Sequence, residues 1–254
     1  MEIEFFANAA TVKTLLPPIP AAKAIPEWWI KAQRELVDSG ESDWAQGDNL
    51  TFKGCQPFTD VLRTGYIIPL WQDIRYADTR EHPDHELRVS VNWGRGQNVA
   101  SGDEGGIAVE AKGWDSWREI EGVENNLIEG TSFSFVNPWV IRTPPGYSCL
   151  FTAPLNSEDN RIRLFSGIVN TDTYFNSVNF FFGFRKDIEL PGVLKRGMPL
   201  VQVIPFKREE WVCSVKPIDR YSEEDNLKHS VINELTSHLK GGYKAHHGCP
   251  IKHK

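Results

Sequence analysis

The alternation of apolar and polar positions changes character along the chain. From Phe133 to Val215 it is short-range. Val136–Arg142, Ser148–Thr152, Arg163–Val169, Ser177–Phe184, Leu200–Phe206 and Trp211–Val215 read as strands divided by turn residues. Strands this close, with no helical period between them, predict an antiparallel sandwich or barrel rather than a parallel α/β sheet. Leu87, Val89 and Val91 alternate with Arg88, Ser90 and Asn92, which predicts one more half-buried strand. In Phe180-Phe181-Phe182-Gly183-Phe184 the alternation breaks, and the run predicts a strand buried on both faces.

The remaining pattern is irregular or helical. Leu16-Pro17-Pro18-Ile19-Pro20 cannot be helical, because each proline removes a donor and restrains the residue before it. Pro26 suits the first position of a short helix over Glu27–Val37, with Trp28-Trp29 as its packing face. Pro57–Leu62 predicts one or two helical turns ended by Gly65. Tyr66–Trp71 then predicts a strand in which Pro69 marks an edge or a bulge. Residues 94–106 are Gly- and Asp-rich and read as a loop. Leu227, Val231, Leu235 and Leu239 make an apolar stripe behind a Ser222 N-cap, and Gly241-Gly242 closes that helix.

The expected architecture is mainly β and forms one compact unit over 1–254. An N-terminal Pro-rich arm (1–50) and an α+β elaboration (51–129) precede a β core (130–216). A single C-terminal helix and a basic tail (217–254) follow.

Composition narrows the functional classes. The chain has 254 residues, 40% hydrophobic and 24% charged, which is ordinary for a globular protein. A net charge of −6 argues against a duplex nucleic-acid partner. No apolar run approaches the roughly 20 residues needed to span a bilayer, so no membrane association is expected. The acidic start, Met1-Glu2-Ile3-Glu4, lacks the basic opening of a signal peptide. Cys55, Cys149, Cys213 and Cys249 are scattered without a CxxC pair. Reduced thiols and a cytoplasmic location are the simplest expectation.

Three segments resemble the trimeric dUTPase and dCTP deaminase superfamily in order and spacing. Thr143-Pro144-Pro145-Gly146-Tyr147 is similar to its "PPGY" turn. Gly167–Tyr174 resembles its "G-x-I-D-x-D-Y" hairpin. Leu194–Ile204 resembles its "I-x-x-G-x-x-I-A-Q-L" strand. The resemblance implies a β-clip fold over about 136–211 and a tendency to trimerise. Asn137-Pro138-Trp139, Thr143–Ser148 and Gln202–Lys207 further resemble a phage and bacterial protein family, a likeness that brings no activity with it.

In dUTPases the hairpin holds the deoxyribose, its first Asp activates water and its Tyr stacks under the sugar. Matched by position, Asn170 stands at the first Asp, Asp172 at the second, and Tyr174 at the Tyr with one residue inserted. Asn170 cannot accept a proton as a general base does. Where the family carries its "PRSG" phosphate segment, this chain reads Ala153-Pro154-Leu155-Asn156-Ser157, with neither Arg nor Gly.

The candidate ligand-binding residues are therefore Asn170, Asp172, Tyr174 and Gln202, with Arg142 or Arg185 as anion contacts. The function expected is binding of a small molecule or nucleotide at an altered dUTPase-like site. A non-enzymatic assembly or interaction protein, phage-encoded, is the alternative. Whether any reaction is catalysed, and with which cofactor, stays open. His247, Cys249 and His253, with Cys213 or His238, have zinc-ligand chemistry, as do His82 and His85 with their acidic neighbours. A solvated basic tail and a polar loop are the expected readings, so no metal site is assigned.

Overall fold

The computed structural model describes residues 1–34, 51–78, 89–92, 109–111, 127–157 and 159–215. The stripe at 227–239, the histidine-bearing tail, the loop at 94–106 and the His82/His85 cluster lie outside these residues. In chain order the elements are β1 (Glu4–Phe6), α1 (Ala9–Thr14), β2 (Ile19–Pro20), α2 (Glu27–Lys31), α3 (Gln56–Arg63), β3 (Tyr66–Pro69), β4 (Ile74–Asp78) and β5 (Val89–Asn92). They continue with β6 (Val109–Ala111), β7 (Leu127–Phe135), β8 (Val140–Arg142), β9 (Tyr147–Thr152), β10 (Ile162–Leu164), β11 (Gly167–Val169), β12 (Phe180–Arg185), β13 (Gly192–Leu194) and β14 (Pro199–Lys207). The fold is mainly β, as the pattern predicts. Among the described residues, no helix is long and apolar enough to cross a membrane.

The chain divides into two units, 1–24 with 65–208, and 25–64 with 209–254. The first holds four open sheets, in the orders β11-β9-β14-β3-β2, β10-β12-β7-β6, β13-β4-β5 and β1-β8. All their pairings are antiparallel. One hydrophobic cluster draws on all four: Val203 from the first, Phe182 from the second, Ile74 from the third and Ile141 from the fourth. Its centre is aromatic. The rings of Phe135 and Phe182 stack with centroids 3.9 Å apart, and Phe184 packs against Tyr76 at 4.8 Å. Such ring pairs add to the burial of their own area.

Local sequence explains how this unit joins up. Pro69 faces Pro199, and the β3–β14 ladder slips by one residue there, the bulge that a proline inside a strand predicts. Gly65 opens β3 at φ +73°, and a Cβ there would lie 2.1 Å from the Val203 carbonyl oxygen. Only glycine permits that backbone approach. The expected strand Arg163–Val169 is two strands, β10 and β11, in different sheets, because the chain crosses between them at Phe165-Ser166. The phenylalanine run keeps its alternation: Phe180, Phe182 and Phe184 are buried, while Phe181 is 46% exposed. It is therefore not buried on both faces. Pairing reaches into the N-terminal segment too, since β1 runs beside β8 and Phe5 faces Ile141.

The second unit contains α2 and α3. Trp29 stacks on Phe58 at 5.0 Å, with Trp28 edge-on to both rings. The Lys53 ammonium donates to the carbonyls of Ile30 and Ala32, at 2.8 and 2.7 Å, at the end of α2. A cation there satisfies carbonyls that the helix leaves open. Residues 211–215, expected as a strand, pair with no strand among the described residues. Trp211, Val212 and Val215 are 88–94% exposed.

Candidate functional site

One polar cluster of the first unit gathers three segments that are distant in sequence. The first is the turn after β8. Pro145 presets φ, Gly146 sits at φ +84°, and the Tyr147 N–H closes the turn on the Pro144 carbonyl at 3.2 Å. A type II turn has this arrangement. The second segment follows β11. The antiparallel register that sets Val169 against Cys149 brings Asn170 beside Ser148. The backbone then turns tightly, with the N–H groups of Thr173 and Tyr174 both donating to the Asn170 carbonyl. The third is Arg208, just beyond β14, whose N–H donates to the Gly146 carbonyl at 2.8 Å.

The side chains knot these segments together. The Asp172 carboxylate accepts from the Gly146 N–H at 2.8 Å and from both terminal nitrogens of Arg208. The Nη1 of Arg208 also lies 2.9 Å from the Tyr147 carbonyl and from the Ser148 hydroxyl. That hydroxyl donates to Asn170 Oδ1 at 2.8 Å. Beneath them, the buried hydroxyls of Thr143 and Thr171 meet at 2.7 Å, and Thr171 reaches the Cys149 sulfur at 3.4 Å.

Electrostatics follow from this wiring. The Arg208 guanidinium, assisted by the Gly146 N–H, holds the Asp172 carboxyl at about 2, against an ordinary 3.8. The Asp172 side chain is 5% exposed and that of Arg208 37%. A carboxylate so placed is a poor proton acceptor near neutrality, since general bases work best with a pKa near the operating pH. Burial pushes the Cys149 thiol up, which suits a packed core thiol and not a nucleophile.

The six residues singled out from sequence divide between three places. Asn170 and Asp172 join the knot. Tyr174, 45% exposed, follows on the same turn. Arg142 lies nearby on β8, its guanidinium 5.2 Å from the Phe6 ring and 5.0 Å from the Phe175 ring. Gln202 is elsewhere: it is buried, faces Thr152, and its Oε1 accepts from the Leu155 N–H at 2.9 Å. Five residues along β14 separate it from Lys207, roughly 17 Å at strand spacing. Arg185 ends β12 in another sheet. Its N–H donates to the Arg161 carbonyl, and among the described residues its buried Nε has no hydrogen-bond acceptor.

Arg208, Ser148, Phe6 and Phe175 complete the site and were not singled out from sequence. Phe6 is placed by the β1–β8 pairing, and Arg208 by the register of β14 on β9, in which Lys207 faces Tyr147. Among the described residues, no group of three metal-capable side chains occurs.

No protein-family model matches the chain, and no curated protein does. Among solved structures, a mutant dUTPase from phage phi11 of S. aureus aligns with 38% of this chain and 82% of its own length, at 12% identity and a TM-score of 0.24. That likeness is too slight to carry an argument, and the chain's own geometry has to supply the functional reading.

Proposed function

We propose that the protein binds a small anionic ligand of the nucleotide class without hydrolysing it, on the surface around residues 170–175. The carrying observation is the Arg142 guanidinium, set against the exposed rings of Phe6 and Phe175. Among the described residues it has no hydrogen-bond acceptor. Contact with two rings orients the cation, so less freedom is lost when it meets a phosphate or carboxylate. Exposed aromatic rings beside it offer a stacking platform for a base. The absence of hydrolysis follows from Asn170, which has no basic carboxylate, and from Asp172, whose oxygens are engaged by Arg208 and Gly146.

The test is calorimetric titration of the whole protein with dUTP and dCTP, in parallel with assays for pyrophosphate and ammonia release. The reading expects saturable heat and no product. Arg142→Gln should weaken binding roughly tenfold, the loss of one charge-assisted contact. Turnover of either nucleotide, or no heat with any nucleotide, would overturn the reading.

An assembly role is the second reading. It draws support from Trp211, Val212 and Val215, which present large apolar side chains to solvent. Light scattering at micromolar protein separates the two. A stable homo-oligomer, such as the trimer the resemblance implies, that dissociates on Trp211→Ser supports assembly. A monomer that binds nucleotide removes that reading.

A further inference from the structure

A cleft of about 380 Å3 lies in the first unit, away from the turn at 170–175. Its size falls in the range of roughly 300–1,000 Å3 usual for small-molecule sites. Its back wall is Tyr76 of β4, Arg161 just before β10, and Gly192 and Val193 of β13, and residues from the segment 187–191 line the rest.

The back wall is rigid and electrically closed. Tyr76 is buried, and its hydroxyl would lie 2.2 Å from a Cβ at position 192, so glycine there lets the ring seat against the backbone. Arg161 donates to Asp159 from Nε at 2.9 Å and from Nη2 at 2.6 Å, and from Nη1 to the Val193 carbonyl at 2.6 Å. Burial pushes the Asp159 carboxyl up, but Arg161 outweighs it and holds the group below its usual value. The pair is neutral overall, and the guanidinium has little left to offer an anion.

The remaining polar lining is unspent. Asn160, Asp187 and Glu189 line the cleft and are exposed. None of the three has a hydrogen bond or ion pair among the described residues. Ile188, Pro191 and Val193 add aliphatic lining. The unspent chemistry is therefore two negative charges, one carboxamide and aliphatic surface, on a fixed floor. Two carboxylates with a carboxamide are a thin ligand set for a divalent ion, which takes six or more oxygens. They suit N–H donors, and the aliphatic lining suits methylenes.

We propose that this cleft binds a small aliphatic amine or diamine, its ammonium held by Asp187 and Glu189 and its methylenes lying along Ile188, Pro191 and Val193. The Asn160 carbonyl takes a further N–H. The site is independent of the surface around residues 170–175.

The probe is putrescine, titrated into the whole protein and followed by backbone amide NMR. Saturable shifts confined to residues near 160 and 187–193 are expected. Asp187→Asn/Glu189→Gln, two exposed and isosteric changes, should weaken binding about tenfold or more, as expected when charge-assisted contacts are lost. Glu2→Gln/Glu4→Gln changes the net charge equally and should leave binding intact. n-Butanol, which lacks the ammonium, should not saturate the site. Three outcomes would overturn the proposal: no saturable shift with putrescine, equal loss in both double variants, or Mg2+ displacing putrescine at stoichiometric concentration.

Discussion

Two arginine–aspartate forks, Asp172 with Arg208 and Asp159 with Arg161, have the same chemistry and opposite consequences. At the turn the fork consumes the carboxylate that sequence position makes a candidate for chemistry, and it ties together the chain at 146, 172 and 208. In the cleft the fork occupies Arg161 and leaves the carboxylates of Asp187 and Glu189 unspent. The residue type of an acid says little about its role. Its neighbours decide whether it fastens the fold or meets a ligand.

The largest effect should come from a defect beneath both regions. Phe182 is fully buried and stacked on Phe135, in the core from which both sites are held. Phe182→Ala should cost about 4 kcal/mol by denaturant unfolding. Loosening at both 172 and 188 in hydrogen exchange is expected, and loosening at one alone would mean that the two do not share that support. Gly192→Ala separates them. Its Cβ meets the Tyr76 ring, which is itself packed against Phe184 in the core. A loss of about 2 kcal/mol is expected from such overpacking, together with putrescine binding, while the amide shifts around Asp172 stay fixed.

The sequence made the strands legible where alternation and turn residues coincide. β9 and β14 fall within a residue of the predicted spans, and Gly146 occupies the turn position its lack of Cβ predicts. It failed where the deciding interaction is long-range. Arg163–Val169 reads as one alternating run, and nothing local says that two sheets claim its halves. Trp211–Val215 has strand composition, but a strand also needs a partner. At the site, the aspartate hairpin was visible as a motif. Its partner Arg208 was not, because 36 residues separate it from Asp172 and it sits past the end of a strand in an ordinary charged stretch, Lys207-Arg208-Glu209-Glu210. Only the β14–β9 register brings the two together.

Smaller effects sharpen the contrast at single hydrogen bonds. Ser148→Ala removes the donor to Asn170 and one acceptor of Arg208. A cost of about 1 kcal/mol is expected, since the groups left behind are partly desolvated. Asn160→Ala touches an exposed carboxamide with no partner among the described residues and should change stability by less than about 0.5 kcal/mol. Equal losses in the two variants, read from denaturant midpoints, would erase the distinction between a spent and an unspent site.

The central claim is that Asp172 is a fastener. Its carboxyl should therefore titrate at about 2 in the folded protein, against 3.8 for an ordinary aspartate. The sign follows from linkage. A folded-state value below the unfolded one stabilises the protein fully above about pH 4, and that stabilisation is lost as pH falls through about 2. The direct measurement is carboxyl-carbon NMR of Asp172 across this window, in the native protein and in Arg208→Gln. The account predicts a midpoint near 2 that rises toward 3.8 when the guanidinium is removed. A native midpoint at or above 3.8, unmoved by Arg208→Gln, would contradict it and return Asp172 to the candidates for proton transfer.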